Sequence, residues 1–539
     1  MSSSRPPSIQ RTIVVGLVMT ATSLCVSILI AAILRVASPV VAVGNRVIDR
    51  TPLAVKDWAV EFFNGHHKAA LEIGTVIILT MIAIVVARFA QSKPSVGIWA
   101  IAIMSIIGIA ASNSDVDGQL ALVPAVLGGI AGAMALLVLV GAVAARRSED
   151  SAAKDQSPST EHSGAAAQAP DQQLPVPMPT SLRLKPLDRR DFIAKASMIS
   201  AAAATLGAVG AGIERSTSAD VAQLAQGLPK PRAPFGDIPT TATVPEGIEP
   251  FLTRNDKFYR IDTALRIPRV DLTSWKLKVG GMVDRPLELS YDDLMSLEVI
   301  ERPITLCCVS NEVGGEYVGN AMWLGVRLAD VLDQAGVQQG ATQLASKSAD
   351  GWTCGFPTEA ARDGRDAMIA VGMNGEPLPI PHGFPARLVI PGLYGYVSAT
   401  KWLTEITLTT LEDFDGYWIP RGWSKIAPIK TQSRIDVPRD SATVNAGSVA
   451  FAGVAWAQHR GVTAVEVSID SGEWQNARLG DSVSTDAWRQ WVLEWQATPG
   501  SHEIRVRATD STGTPQTADV AEPAPSGATG YHTIRVDVS

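Results

Sequence analysis

Residues 305–315 read TLCCVSNEVGG. Two of the chain's four cysteines, Cys307 and Cys308, stand side by side there, while Cys25 and Cys354 are isolated. Adjacent cysteines seldom bridge each other, because neighbours reach the Cα separation and torsion of a disulfide only with strain. A zinc site needs a gap of a few residues and further Cys or His partners. In an extended chain, neighbouring side chains face opposite ways, so only one of the two thiols reaches any one site.

The flanking sequence supplies matching chemistry. TRNDKFYRIDTAL (253–265) gathers Arg254, Asn255, Tyr259 and Arg260. MNGEPLPIPHGFPARLVIPGLYGYVSATKWL (373–403) carries His382, Arg387 and Lys401 among rigid Pro and conformationally permissive Gly, which together shape the backbone for a bulky ligand. One thiol, one imidazole and several cations suggest a soft metal centre with an anionic cofactor. Thiolate suits soft metals, and Arg and Lys suit phosphate.

These segments resemble the sulfite oxidase family of molybdopterin enzymes, over about residues 245–539. The resemblance rests on Thr305-Leu306-x-Cys308-Val-Ser-Asn, on Met-Asn-Gly-x-Pro-Leu-Pro-x-x-His-Gly-Phe-Pro-x-Arg-Leu-Val-x-Pro-Gly, and on Lys401-Trp-Leu. It implies Mo-molybdopterin as cofactor, with Cys308 as the molybdenum ligand and Cys307 as a small buried apolar residue. It implies pterin contacts from Asn255, Tyr259, Arg260, His382 and Arg387, a phosphate contact from Lys401, and a further contact from Asp350. Arg254 falls where relatives carry an anion-binding arginine, and Trp423 falls at their active-site tyrosine. The paired arginines that follow the metal cysteine in animal and plant sulfite oxidases are Glu312 and Val313 here. A poor sulfite oxidase acting on a less charged small molecule is therefore expected, with Arg421 as the nearest alternative cation.

At 539 residues the chain is expected to form several domains. Hydrophobic residues make up 46% and charged residues 18%, which leans towards a membrane protein carrying soluble domains. A net charge of −7 without a long basic block excludes nucleic acid as an expected partner. Four apolar stretches, 12–34, 69–88, 95–111 and 120–145, each approach the ~20 residues of a bilayer span. Arg5 and Arg11 precede the first, Arg88 and Lys93 follow the second, and Arg146 and Arg147 follow the fourth. The loop SNSDVDGQ (112–119) is purely acidic in its charges. The positive-inside rule puts both ends of this region in the cytoplasm, although Arg46, Arg50 and Lys56 run against it. His66 and His67 lie before the second stretch and read as interfacial rather than as haem ligands.

Residues 188–212, DRRDFIAKASMISAAAATLGAVGAG, resemble an internal twin-arginine export signal built on Arg189 and Arg190. That route carries proteins already folded, which suits a cofactor assembled in the cytoplasm.

The expected architecture is a multi-domain chain. It comprises a four-helix transmembrane region (1–147), a disordered linker (148–187), and the arginine motif with a fifth transmembrane helix (188–215). An extracytoplasmic linker (216–247), an α+β molybdopterin domain (248–425) and an immunoglobulin-like β-sandwich (426–539) follow. LGVRLADVLDQAGV (324–337) reads as a short helix ending at Gly336. VTAVEVSIDSGEW (462–474), HEIRVRA (502–508) and HTIRVDV (532–538) alternate as strands, with Trp456, Trp474, Trp488, Trp491 and Trp495 as core candidates.

The functional expectation is an extracytoplasmic oxygen-atom-transfer oxidoreductase on the cytoplasmic membrane. Its partners would be a small-molecule substrate and a cytochrome or quinone-linked electron carrier, and the C-terminal domain admits a homodimer. The alternatives are a reductase of S-oxides such as methionine sulfoxide, or a non-enzymatic binding protein on a dead cofactor fold.

Overall fold

The computed structural model describes residues 8–539 except 35, 64–65, 113–117, 145–181, 185–186, 225–227, 233, 237, 239–244 and 246. Most of the expected linker 148–187 lies outside these residues, as do Arg5, Arg146, Arg147 and most of the acidic loop. The chain divides into two compact units, Met1–Ser216 and Thr217–Ser539.

The first unit is helical: α1 (Ile9–Leu34), α2 (Pro39–Arg50), α3 (Leu53–Phe62), α4 (His67–Ala90), α5 (Pro94–Ser112), α6 (Val123–Val140) and most of α7 (Arg189–Leu224). Among the described residues, five helices are long and apolar enough to cross a membrane: Ile9–Leu34, His67–Ala90, Pro94–Ser112, Leu120–Val140 and Arg189–Ile213. The fourth ends earlier than its hydropathy suggests. Gly141 takes a left-handed cap at φ 74°, and β1 (Ala142–Ala144) pairs antiparallel with β2 (Leu182–Leu184), inside the stretch expected as linker. Short α2 and α3 were not expected. Ser38 caps α2 through its side chain, and Pro39 occupies its first turn. Arg11 joins three segments. Its guanidinium bonds the carbonyls of Leu187 (3.3 Å) and Leu139 (3.5 Å) and lies 4.7 Å from the ring centre of Phe192.

In the second unit, β3 (Lys276–Gly281) and β4 (Leu287–Ser290) lead into α8 (Tyr291–Met295), β5 (Val299–Cys307) and β6 (Val318–Arg327). Next come α9 (Leu328–Ala335), β7 (Gln343–Ser348), β8 (Thr353–Pro357), β9 (Met368–Met373), β10 (Glu376–Pro377), β11 (Arg387–Val389), α10 (Gly395–Ser398) and β12 (Leu403–Thr409). One sheet runs β10-β9-β6-β5 with β11 also on β9, and the other runs β4-β3-β12-β7-β8. The helix expected over 324–337 covers only its second half. Leu324 and Val326 belong to β6, where the two-residue spacing 324/326 is a strand signal, and Gly336 ends α9 at φ 70° as expected.

The C-terminal region is a pair of sheets. β13 (Gln432–Val437), β15 (Gly447–Trp456), β18 (Arg478–Leu479) and β19 (Arg489–Ala497) form one. β14 (Ala442–Val444), β16 (Val462–Ile469), β17 (Gln475–Asn476), β20 (Gly500–Asp510) and β21 (His532–Val538) form the other. Phe451, Val465, Val467, Trp491, Ile504, Val506 and Val536 fill one core shared by both sheets. Two of the expected core tryptophans depart from that plan. Trp456 and Trp488, at the ends of β15 and β19, join the core of the preceding sheets instead. Trp495 packs against the shared core, and Trp474 meets Tyr531 edge-on at 5.3 Å between ring centres.

Candidate active site

β5 ends at Cys307, and the period-two alternation of an extended chain continues just past it. Cys307 and Val309 belong to the hydrophobic core, and Cys308 between them does not. Cys308 is 8% exposed. Burial pushes its thiol pKa up, opposed by hydrogen bonds from the backbone and hydroxyl of Ser310. Three bonds close the turn: Cys308 N–H to the Tyr317 carbonyl (2.9 Å), Asn311 N–H to the Cys308 carbonyl (3.1 Å), and Tyr317 N–H to Asn311 Oδ1 (2.7 Å).

Tyr259 lies beside both thiols and beside Arg387, and burial chiefly holds its phenol far above the ordinary range. Arg387 opens β11, pairs with β9 and is 5% exposed. Its side-chain bonds go to the carbonyls of His382 (3.1 Å) and Leu388 (3.4 Å), and its guanidinium lies 5.0 Å from the Trp323 ring centre. Among the described residues it has no carboxylate partner, and burial pushes its pKa down to about 10.

His382 sits on a single 3-10 turn, Ile380–His382, closed by Gly383 at φ 116°. Its Nε2 meets the Asn255 carbonyl at 3.0 Å. Burial, followed by the charge of Arg387, lowers its pKa to about 4, so the imidazole is neutral at pH 7. Gly383 is required twice over. A Cβ there would need an unfavourable backbone, and it would sit 3.1 Å from both the Arg387 Cβ and the Lys401 Cα. Its absence lets the His382 turn, β11 and the Lys401 segment meet.

Lys401 bonds Asp262 at 2.9 Å, which Arg260 also engages at 2.7 Å. Burial lowers the Lys401 pKa to about 8 in spite of Asp262. Asp350, in the turn between β7 and β8, is near both Asp262 and Lys401, and burial raises its carboxyl pKa. Asn255 is held by Asn374, whose Nδ2 reaches Asn255 Oδ1 (2.8 Å) and the Thr253 carbonyl (2.9 Å). Asn374 (φ 53°) and Gly375 (φ 78°) form the two-residue turn of the β9–β10 hairpin.

The structure thus gathers Tyr259, Arg260, Cys308, Asp350, His382, Arg387 and Lys401, with Asn255 on the margin. It does not bring Arg254 in. That side chain is 76% exposed and paired with Asp256. Trp423 packs against Tyr396 at a tilt, 5.6 Å between ring centres, and its buried Nε1 has no hydrogen-bond partner. Sequence reasoning missed Tyr394, which lies beside both cysteines and Tyr396, and whose phenol pKa burial raises. It also missed Asp262 and Asn374. An Asn-Gly pair between strand-like runs is a hairpin signal that could have marked Asn374.

The model of the oxidoreductase molybdopterin binding domain matches residues 264–418. Human mitochondrial sulfite oxidase is 31% identical over 305 residues, taking in 48% of this chain and 55% of that protein, so the chain spans about half that relative's length. The sulfite oxidase of Gallus gallus is 31% identical over 323 residues, covering 51% of this chain and 70% of that protein. This chain belongs to the sulfite oxidase family of molybdopterin-dependent oxidoreductases. Among solved structures, the sulfane dehydrogenase SoxCD from Paracoccus pantotrophus aligns over 53% of this chain and 81% of that chain, with a TM-score of 0.47 and 22% identity.

Membership of the sulfite oxidase family implies Mo-molybdopterin, and the side chains fit it. Arg387 is a buried cation without a carboxylate, and buried charge of one sign calls for a partner of the other. Lys401, Arg387 and His382 all have lowered pKa values, in part from one another's charge in the case of Lys401 and His382. An anionic guest relieves that strain in each of them.

Proposed function

We propose that this chain is a membrane-anchored oxidoreductase that moves an oxygen atom to or from a small molecule, with Cys308 as the thiolate that holds molybdenum. The single observation that carries this is the convergence of a buried thiol with a buried, carboxylate-free guanidinium, Arg387, around Tyr259. When bound, the cofactor supplies two-electron redox chemistry. Arg387, Arg260 and Lys401 would meet its anionic groups, and His382, neutral at pH 7, offers a hydrogen bond rather than a charge. Asn255, Tyr259 and Asp350 would contribute polar contacts at the pterin. Ser310 already favours the thiolate form of Cys308, and burial around the turn excludes water.

The site favours a neutral or weakly charged substrate over sulfite. Arg254 faces solvent with Asp256, Glu312 and Val313 stand within the turn, and Arg421 bonds the Tyr417 carbonyl and lies 3.6 Å from the Tyr417 ring centre. A doubly charged anion needs converging cations. Reduction of S-oxides, such as methionine sulfoxide, is the second reading this favours, with Trp423 contributing an indole N–H but no phenolic proton.

We place the chain in the cytoplasmic membrane with its catalytic half outside, delivered by the arginine motif at Arg189 and Arg190 and served by a cytochrome or quinone-linked electron carrier. The domain boundaries set out from the sequence are retained in this proposal, with the C-terminal sheet pair as an immunoglobulin-like domain that admits a homodimer. Molybdenum content and turnover test the core of the reading. Wild-type protein should carry molybdenum and Cys308→Ser should lose turnover, whereas a metal-free wild type would favour a binding protein on a dead fold. Steady-state assays with sulfite and ferricyanide should show weak turnover. Efficient turnover with KM in the micromolar range, on the order of many enzymes' values, would overturn the substrate assignment.

A further inference from the structure

The turn carrying Cys308 is gripped on both sides by residues of the C-terminal sheet pair. Upstream, Thr305 is held by three of them. Its N–H donates to the Asp486 carbonyl (2.9 Å), its carbonyl accepts from Gln458 Nε2 (3.1 Å), and its hydroxyl oxygen accepts the N–H of Trp488 (2.7 Å). The same hydroxyl donates to Asn320 Oδ1 on β6 at 3.0 Å. Downstream, Arg434 of β13 donates from Nη1 to the Gly315 carbonyl at 3.0 Å, while its Nε is fixed by Asp436 at 2.6 Å. Gly314, at φ 80°, lies so close to His532 of β21 that a Cβ would come within 2.2 Å of the imidazole ring.

These contacts are more than domain packing. Thr305 is 0%, Gln458 1% and Arg434 8% exposed, so water does not replace their bonds. Gln458 is buried with its Oε1 unpartnered. A buried amide that leaves its acceptor unsatisfied is a poor contribution to stability, and the bond it does make is to Thr305, three residues before Cys308. Arg434 acts on the Cys307 thiol, which places it behind the turn, on the core side. The turn is itself closed by the bonds among Cys308, Asn311 and Tyr317, so displacing either end moves the thiol.

We propose that Thr305, Gln458 and Arg434 are positioning residues, and that the C-terminal sheet pair is a clamp that fixes Cys308 in space. This rests on the reading of Cys308 as the metal's thiolate. The clamp leaves the metal face to Tyr259, Ser310 and Arg387, and sets how far the thiol projects towards them.

The test uses Gln458→Met, Thr305→Val and Thr305→Ser in the full-length protein. The first readout is the rate at which iodoacetamide alkylates Cys308 in cofactor-free protein, followed by mass spectrometry. The second is the electron paramagnetic resonance signal of the molybdenum-loaded protein, with metal content measured alongside. Gln458→Met, which removes one buried hydrogen bond, should raise the alkylation rate roughly tenfold, and Thr305→Val, which removes the two made by the hydroxyl, at least as much. Both should shift the resonance signal at unchanged molybdenum content, and Thr305→Ser, which keeps the hydroxyl, should restore wild-type behaviour. Gln458→Met removes an unpartnered acceptor along with its donor, so it decides the matter if Thr305→Val fails to fold. Wild-type alkylation and a wild-type signal in Gln458→Met would overturn the clamp. Failure of the ligand assignment shows separately, as a Cys308→Ser protein whose molybdenum content and signal match the wild type.

Discussion

At the scale of single residues, the two thiols separate by the pleat of the chain. Cys307 packs into the core, 1% exposed, and Cys308 faces Ser310 and Tyr259. Cys307→Ser should therefore keep molybdenum and most turnover, since a hydroxyl can replace the thiol's contact with the Cys308 carbonyl. Cys308→Ser should abolish turnover, because a hydroxyl is a poor ligand for a soft metal. The opposite pattern in paired activity and metal assays would put the register one residue out. Two buried imidazoles weaken the fold in acid. His382 and His532 both have pKa values lowered to about 4, chiefly by burial. Below pH 6.5 the unfolded chain binds protons that the folded chain refuses, so stability falls as pH drops from 6.5 towards 4. For buried His382 this amounts to about 2–3 kcal/mol at pH 4.5. Denaturant unfolding of cofactor-free protein at pH 7 and pH 4.5 measures it, and His532→Gln should flatten part of the slope. Equal stability at both pH values would contradict the assignment.

At the scale of elements, the segments that meet at the candidate site were legible because they combine chemistry with closely spaced Gly and Pro. The run from Asn374 to Lys401 holds a two-residue hairpin turn, a 3-10 turn and a short strand, each marked by Gly or Pro. What could not be read was which surface each element meets. Trp456 and Trp488 look like core residues of the last sheets, yet they pack on the sheets before, because strand ends can face a neighbouring layer that local sequence does not encode. Arg254 is exposed although Thr253 beside it and Phe258 four residues on are buried, in a turn whose direction is fixed by the hydrogen bonds of Thr253 with Asn374 and Asn320 far along the chain. Tyr394 was hidden in a Gly-rich run that resembles a loop. The His382 turn is sensitive to a single change. Gly383→Ala would force a side chain into φ 116° and press on the Arg387 Cβ and Lys401 backbone. It should cost about 1–3 kcal/mol of stability and, on the proposed reading of the site, lower cofactor retention, since His382, Arg387 and Lys401 meet at that contact. Thermal unfolding with metal analysis decides it, and an unchanged midpoint with full metal would show that the turn relaxes freely.

At the scale of the whole molecule, the proposed export motif and a helix apolar enough to span a bilayer coincide in one element. α7 begins at Arg189 and carries both the arginines and an apolar stretch long enough to span a bilayer. Within the first unit, Phe192 is 8% exposed and packs beside Arg11, whereas Arg189 and Arg190 are exposed and make no hydrogen bond or ion pair among the described residues. Replacing both by Lys therefore keeps the charge that orients the helix and removes no contact of the helical unit. Any change in localisation then reports on recognition of the address rather than on folding. On the export reading proposed above, the Arg189→Lys, Arg190→Lys protein should leave its second unit in the cytoplasm while the first four spans still insert. Protease digestion of intact spheroplasts measures this directly: the wild-type second unit should be cleaved from outside and the double variant protected. Equal external cleavage of both would reduce the arginines to ordinary cytoplasmic flanks of a fifth span.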